Sequence, residues 1–547
     1  MPDTPDVLPE PSEDKSRVKR LRWVWIAVGV LATIAVAAQT RDVLNDRSVS
    51  NIISQAALFA ILLLITSRGF RIIAAQTSLL AATLGVLALT LSPFAFFRFR
   101  GFSGEMIPVF ESRFREEAKL QKEVSAQGTS SDKVELADTP FPQFLGPNRN
   151  AVVASREFEI PQSDEEELWR VAIGQGWAGF AIKDQYCVTL EQRGEQECVT
   201  CYRLSDGGLL WIQEHEARHK NAMGGIGPRS TPAIHEGLVY TQGATGMIHC
   251  LKLETGEVVW KQDLLKLADW DQLGSEVSIT WGRAGSPLIV DGLCVIPFGR
   301  PSQLDAPNKL LSGRSLIAFD SQSGEVRWSA GDDQISYASP VVLTLDGTPQ
   351  IVSVNEASVT GHAITEGTVL WSIPWPGQSN GGANCSSVLP AGDNKILIAK
   401  GYGVGSGVFE VMQDGNSWTT TELWASGRVL KTKFTHACVD GDHAYALSDG
   451  TLECVDITNG ERKWLQRGSR YGHGQIVLAG DCLVVQTEPG EIAFVAASPE
   501  EFKVLATIEA LSDKTWNVPS VAGRYLAVRN DTEAVMYRLP MKTNTAN

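Results

Sequence analysis

Two histidines four residues apart, His215 and His219 in HEARH, have the spacing at which a helix presents both imidazoles to one zinc ion. The run lacks the glutamate spacing of a metalloprotease and falls between repeated units, so a solvated loop is the expectation. Cys198 and Cys201 have the C-x-x-C spacing of a haem attachment site, but Tyr202 follows where a histidine is required. An alternating strand would also turn the two thiols to opposite faces. The carboxylates are scattered and no G-x-S-x-G nucleophile elbow occurs. These residues give no catalytic constellation, no cofactor-binding residue and no metal site.

The elements that position side chains here are copies of one phrase. CLKLETGEVVW, Cys250 to Trp260, returns as CYRLSDGGLLW ending at Trp211, AFDSQSGEVRW at Trp328, GHAITEGTVLW at Trp371 and CVDITNGERKW at Trp464. Degenerate copies end at Trp424 and near Leu505. Most steps between endings run from 40 residues (Trp424 to Trp464) to 53 (Trp371 to Trp424), the span of one four-stranded propeller blade. The longer step from Trp260 to Trp328 holds an insertion at roughly 261–282 and a loop at 299–315. The turn glycine supplies positive φ between two antiparallel strands, and the tryptophan fills the gap between wedge-shaped blades. Upstream of each phrase an apolar run, a glycine turn and a second alternating run form a hairpin, as in RSTPAIHEGLVYTQ and AGSPLIVDGLCVIP. Seven endings give seven blades. The segment from Trp516 to Leu539 has three strands of an eighth, which EEELWRV around Trp169 is expected to complete, closing the ring without exposed sheet edges.

Composition agrees with a large folded body: 547 residues, 43% hydrophobic. A net charge of −15 makes nucleic acid a poor partner. Three charge-free windows, Trp23–Thr40, Ser48–Ser67 and Ile72–Phe97, are each long enough to cross a bilayer. The fold class expected is therefore an all-β eight-bladed β-propeller preceded by three transmembrane α-helices. Lys15, Arg17, Lys19, Arg20 and Arg22 precede the first window, and Arg68 and Arg71 separate the second from the third. The positive-inside rule puts these flanks in the cytoplasm and, after three spans of an inner membrane, the propeller on the periplasmic side. The layout reads as a cytoplasmic tail (1–22), a three-span region (23–97), a spacer (98–140) and the propeller (141–540). Within the spacer, 110–124 has helix-forming composition and 125–140 is polar enough for disorder.

FPQFLGPNRNAVV (141–153), the phrases above, WGRAGSPLIVDGLCV and SLIAFDSQSGEVRWSAGDDQISYASPVV together resemble the pyrroloquinoline-quinone-like (PQQ-like) repeat propellers of the quinoprotein alcohol dehydrogenase-like superfamily, whose members have eight blades. The resemblance covers roughly 141–540. Its enzymes hold PQQ beneath two adjacent cysteines, stack it on a tryptophan and bind Ca²⁺ through Glu, Asn and Asp. This chain has no adjacent cysteines. No cofactor is expected, with PQQ and Ca²⁺ only under the alternative of a dehydrogenase oxidising alcohols or sugars. The nine cysteines read as small core filling, and Cys187 and Cys201, near-opposite across the Arg193-Gly194-Glu195 turn, leave a disulfide open.

Function is expected where loops between blades line the mouth of the central channel. Three residues before each inner strand the chain offers Gly176, Arg229, Ala284, Tyr337, Asn384, Lys433, Gly472 and Trp516, with Trp177, Trp281, Arg283, Tyr471 and His473 nearby. The candidate channel-mouth residues are Trp177, Arg229, Trp281, Arg283, Tyr337, Asn384, Lys433, His473 and Trp516. Their cations and aromatics suit an anionic or sugar-like ligand or a peptide. The expectation is a membrane-anchored, non-catalytic binding or scaffolding module, with other envelope proteins or a small ligand as partners and envelope assembly as the nearest analogy.

Overall fold

Charge-free apolar runs become helices, because a helix satisfies its backbone within the segment. In the computed structural model they are α1 (Glu13–Thr40), α2 (Arg47–Gln76) and α3 (Leu79–Phe96), and all three are long and apolar enough to cross a membrane. The structure describes residues 13–40, 46–115, 119–122, 124, 136–301 and 309–542. It forms two compact units, Met1–Arg100 with Glu105–Arg115, and Gly101–Gly104 with Glu116–Asn547.

In the first unit the second and third windows do not divide at Arg68 and Arg71. α2 runs through both arginines to Gln76, and α3 starts at Leu79 rather than Ile72. Arginine is a good helix former; the break comes at Thr77-Ser78, where the Ser78 side chain caps the next helix by accepting from Ala81 N. Gln39 on α1 donates to Asn51 Oδ1 (3.0 Å) and Ser54 Oγ (2.9 Å) on α2, a polar clasp between two apolar helices. The expected helix over 110–124 is not present in its described part: β1 (Phe97–Phe102) and β2 (Pro108–Ser112) pair instead. FRFRGF alternates aromatic and basic residues with period two, and that pattern wins over composition. Phe99 packs edge-on against Phe110, while Arg98 and Arg100 pair with Glu111. The disorder expected over 125–140 lies largely outside the described residues, but Ala137–Phe141 is a strand, β3, and belongs to the propeller.

The second unit is the eight-bladed propeller. Blades 2 to 6 are four-stranded sheets in sequence order, at 233–263, 288–330, 341–374, 389–426 and 437–465. Blade 1 (181–216) gains β3 beside its inner strand, and blade 7 (475–509) gains β4 (Val152–Val153), parallel to its inner strand. Blade 8 takes three strands from 520–538 and its fourth from β5 (Glu166–Ala172), with Trp169 opposite Met536. The ring closes where the repeat count requires.

At five of the eight junctions the repeated phrase locks one blade to the next. Trp211 of blade 1 donates Nε1 to Leu253 O of blade 2 (2.8 Å) and lies on the turn glycine Gly256, where a Cβ would stand 2.6 Å from the indole. Gly256 also sits at φ +71°, so both its conformation and its missing side chain are needed. The same pairing joins Trp169 to Gly207 and Leu204 O, Trp260 to Gly324 and Ser321 O, Trp328 to Gly367 and Ile364 O, and Trp424 to Gly460 and Ile457 O. Trp371 differs. Blade 5 replaces the short turn with the longer strands Gly405–Asp414 and Ser417–Ser426, and this indole bonds Gln350 of its own blade.

Opposite five of these tryptophans the third strand carries a small residue: Cys201 for Trp211, Cys250 for Trp260, Ala318 for Trp328, Gly361 for Trp371 and Cys454 for Trp464. Burial pushes the Cys250 and Cys454 thiols up to about 12. The Cys187–Cys201 disulfide left open above does not form. Cys187 faces Tyr202 and Cys201 faces Val188, the two thiols join different core clusters, and both are free.

Around the channel, polar side chains tie neighbouring inner strands at every junction. Thr231 Oγ1 accepts from Gly179 N, Ser286 Oγ from Thr231 N, and Ser339 Oγ from Ser286 N. Ser387 donates to Ser339 O and Ser386 to Thr435 O. Gln475 donates to both Phe434 O and Trp516 O, and Ser520 to Phe180 O. The segment 141–153 then crosses the channel: Pro142 O accepts from Ile234 N, Phe144 meets His436 at 5.0 Å, and buried Arg149 donates to Ser286 O, Pro287 O and Pro340 O.

Trp169→Ala should lower the stability of the solubilised protein by about 3 to 5 kcal/mol in urea melts, and Gly256→Ala by about 2 to 4 kcal/mol through the strained φ and the displaced indole. Wild-type stability for Gly256→Ala would show that the indole does not need the bare glycine. Burial holds His219 and His473 down to about 3 and His249, His362 and His436 down to about 4, against an ordinary 6.5. As pH falls from about 6.5 towards 4 the unfolded chain takes up protons that the folded chain refuses, so stability falls with pH across that window. Thermal melts between pH 7.5 and 5 should show a steadily decreasing Tm, and a flat profile would contradict these buried neutral imidazoles.

Candidate functional site

Two sets of connections emerge on one face of a propeller: those from an outer strand to the next inner strand, and those between the second and third strands of each blade. Together they build the mouth. Trp177 and Trp516, from connections leading into blades 1 and 8, meet at 4.8 Å between ring centroids. Phe434 lies 4.9 Å from Trp516 and 5.3 Å from His473. The Lys514 ammonium sits 4.1 Å above the Trp516 ring and 5.1 Å from that of Trp177, within cation–π range of both.

Charges lie beside these rings. From the 2–3 turn of blade 7, Glu488 Oε1 accepts from Trp516 Nε1 (3.0 Å) and Oε2 from His473 N (2.9 Å). From the same turn of blade 6, buried Asp449 contacts Lys433 Nζ (2.8 Å), Lys431 Nζ (3.5 Å) and His473 Nε2 (3.9 Å). Burial alone would raise the Asp449 carboxyl, but the lysines, Lys433 foremost, bring it down to about 2. His473 is fully buried; desolvation, reinforced by Lys433, keeps its imidazole neutral. Gly101–Gly104 also belongs to this unit. Gly104 N donates to Glu488 Oε1 (2.6 Å), and Lys514 Nζ donates to Phe102 O (3.3 Å).

A second arc continues the rim. Gly224 O accepts from both Trp177 Nε1 and Arg229 Nη2, each at 2.7 Å. Trp281 packs close to Gly224, and its main-chain N–H reaches Tyr337 Oη (3.3 Å). Trp177, Arg229, Trp281, Tyr337, His473 and Trp516 therefore form a connected line.

Three candidate residues have other surroundings. Lys433 is buried against Asp449. Asn384 is buried and donates to Asn355 O and Glu356 O, as a loop staple. Arg283 turns beneath the insertion, where α4 (Leu264–Leu267) and α5 (Gln272–Ser278) cover it. There it lines a small cleft with Leu265, Gln272 and Ser275 and bonds Phe298 O. Tyr471 packs on Phe502 within the core. Sequence reasoning missed Glu488 and Asp449 because it followed only one of the two sets of connections. It missed Lys514 although that residue stands two positions before Trp516.

The HEARH histidines do not act together. His215 lies in the strand Leu209–Glu216, not in a loop, with Nε2 3.4 Å from Glu197 Oε1 and its ring 5.2 Å from His249. His219 lies beyond the strand end, packed near Gly282. Among the described residues no three His, Cys, Asp or Glu side chains are placed to hold a metal ion. The mouth does not fit PQQ with Ca²⁺. It offers no adjacent cysteine pair, and Glu488 and Asp449 are already committed to protein donors.

No curated protein matches the sequence. Solved structures with similar chain paths include BamB from Moraxella catarrhalis, at 14% identity and TM-score 0.47, covering 70% of this chain and 99% of that one. A europium-containing methanol dehydrogenase matches at 12% identity and TM-score 0.41, covering 73% and 91%. The quinohemoprotein alcohol dehydrogenase of Comamonas testosteroni matches at 11% and 0.40, covering 76% and 82%. The PQQ-like repeat family described as outer membrane protein assembly factor BamB matches residues 160–466, more than half of the chain, and the chain belongs to that family.

Proposed function

We propose that this protein is a membrane-anchored scaffold whose propeller stands on the periplasmic side and binds segments of other envelope proteins at its mouth, without catalysis. The family description, an assembly factor for outer membrane proteins, supports a protein-binding role. Three apolar helices support the anchor, and the basic residues ahead of the first support the orientation. The observation that carries the reading is the mouth. An aromatic floor of Trp177, Trp516 and Phe434 is flanked by an ammonium and a carboxylate, Lys514 and Glu488, whose polar atoms reach main-chain groups. Such a surface recognises a polypeptide by shape and backbone polarity.

A photoreactive amino acid at exposed Met223, beside the rim glycine Gly224, should give one discrete cross-linked envelope protein in intact cells. The same probe at exposed Val258, on an outer strand of blade 2, should not. Equal labelling at both positions, or none at the rim, would overturn the reading. A C-terminal alkaline phosphatase fusion should be active in cells, and an inactive, stable fusion would place the propeller on the other side of the membrane.

A further inference from the structure

The four residues Gly101-Phe102-Ser103-Gly104 lie against the mouth in the way a bound peptide would. Glu488 Oε1 accepts from Gly104 N, and Lys514 Nζ donates to Phe102 O, so one carboxylate and one ammonium read one amide and one carbonyl two residues apart. Both glycines are required by their surroundings. A Cβ on Gly104 would stand 2.4 Å from the His473 ring, and one on Gly101 would stand 3.2 Å from Ala222 O. Gly101 also holds φ +124°, which side chains rarely adopt. His473 cannot retreat, since it is fully buried and its own N–H is held by Glu488.

We infer that the mouth is a recognition site for a Gly-x-x-Gly main-chain segment, and that residues 101–104 occupy it in cis as an internal ligand that a partner must displace. This rests on the reading of the mouth as a protein-binding site and adds what is bound and how access is controlled. An intramolecular segment competes at a high effective concentration, so a partner in trans meets a site already filled. Lys514 serves the occupant twice: it holds the Phe102 carbonyl and covers both indoles, and its chain neighbour Thr515 donates its N–H to Glu488 O. The two recognition groups are thereby held at fixed separation before any ligand arrives.

The test uses full-length protein in detergent and a fluorescein-labelled synthetic peptide of residues 98–107, RFRGFSGEMI. Gly104→Val in the protein should expel the segment and raise affinity for the free peptide at least about tenfold over wild type. Adding Glu488→Gln to that variant should remove most of the gain. A peptide carrying valine at the position of Gly104 should bind neither protein. Equal affinity of wild type and Gly104→Val for the free peptide would overturn the inference, as would equal binding of the valine peptide. Hydrogen exchange on the unmodified protein is independent of any folding defect in a variant. The Gly104 amide should exchange slowly and speed up when excess peptide is added, and fast exchange without peptide would refute occupancy. If Gly104→Val keeps its rim cross-linking partner but binds no peptide, the scaffold reading stands and this inference falls.

Discussion

The contact on which the ring depends is an indole lying on a bare glycine one blade further on. Each such pair buries an aromatic face and satisfies its N–H on a carbonyl of the neighbour, so it joins blades by packing and by a directed bond at once. At five of the eight junctions this geometry fixes the distance between outer strands. The polar belt from Thr231 through Ser286, Ser339 and Ser387, continued by Ser386, Gln475 and Ser520, fixes the distance between inner strands. With both radii set, the angle of each wedge is determined and eight blades complete the circle. Trp169 shows the closure directly: its strand pairs with blade 8 while its indole lies on Gly207 of blade 1.

The propeller was legible because its constraints repeat. Tryptophan and glycine recur at one spacing, and a fixed period with a physical reason needs no tertiary knowledge. The polar belt left a trace as well, the Ser or Thr ahead of the inner strands in RSTPA, AGSPL, YASPV and THACV, yet its role appears only when neighbouring blades are set side by side. Elsewhere composition misled. FESRFREEAKLQKEV is rich in helix formers, but the run before it alternates, and pairing with Pro108–Ser112 satisfied a strand. The Cys187–Cys201 pairing failed by one residue of register, which in a strand reverses the face of the side chain.

The mouth was half legible for a similar reason. Residues before inner strands can be counted from the repeat; Trp516 came out of that count, and Trp177 and His473 stand one position beyond the counted Gly176 and Gly472. Glu488 and Asp449 lie in turns between second and third strands, and only the antiparallel order of the blade brings those turns to the same face. Their charges change the character of the site. A rim of aromatics and cations alone suggests an anion or a sugar; Glu488 accepting N–H groups beside Lys514 adds the opposite charge that the proposed reading as a peptide site calls for.

The segment FPQFLGPNRNAVV explains why the channel beneath need not hold a small molecule. Leu145 and Arg149 are buried within it, and Arg149 spends its guanidinium on three backbone carbonyls of blades 3 and 4. Desolvation brings that guanidinium down to about 9, a cost offset by carbonyls that would otherwise lack donors. A channel whose centre is filled by its own chain leaves recognition to the rim, where contacts are shallow and backbone-directed. Here a buried arginine crosses the axis, and the rim is left as the polar surface open to contact.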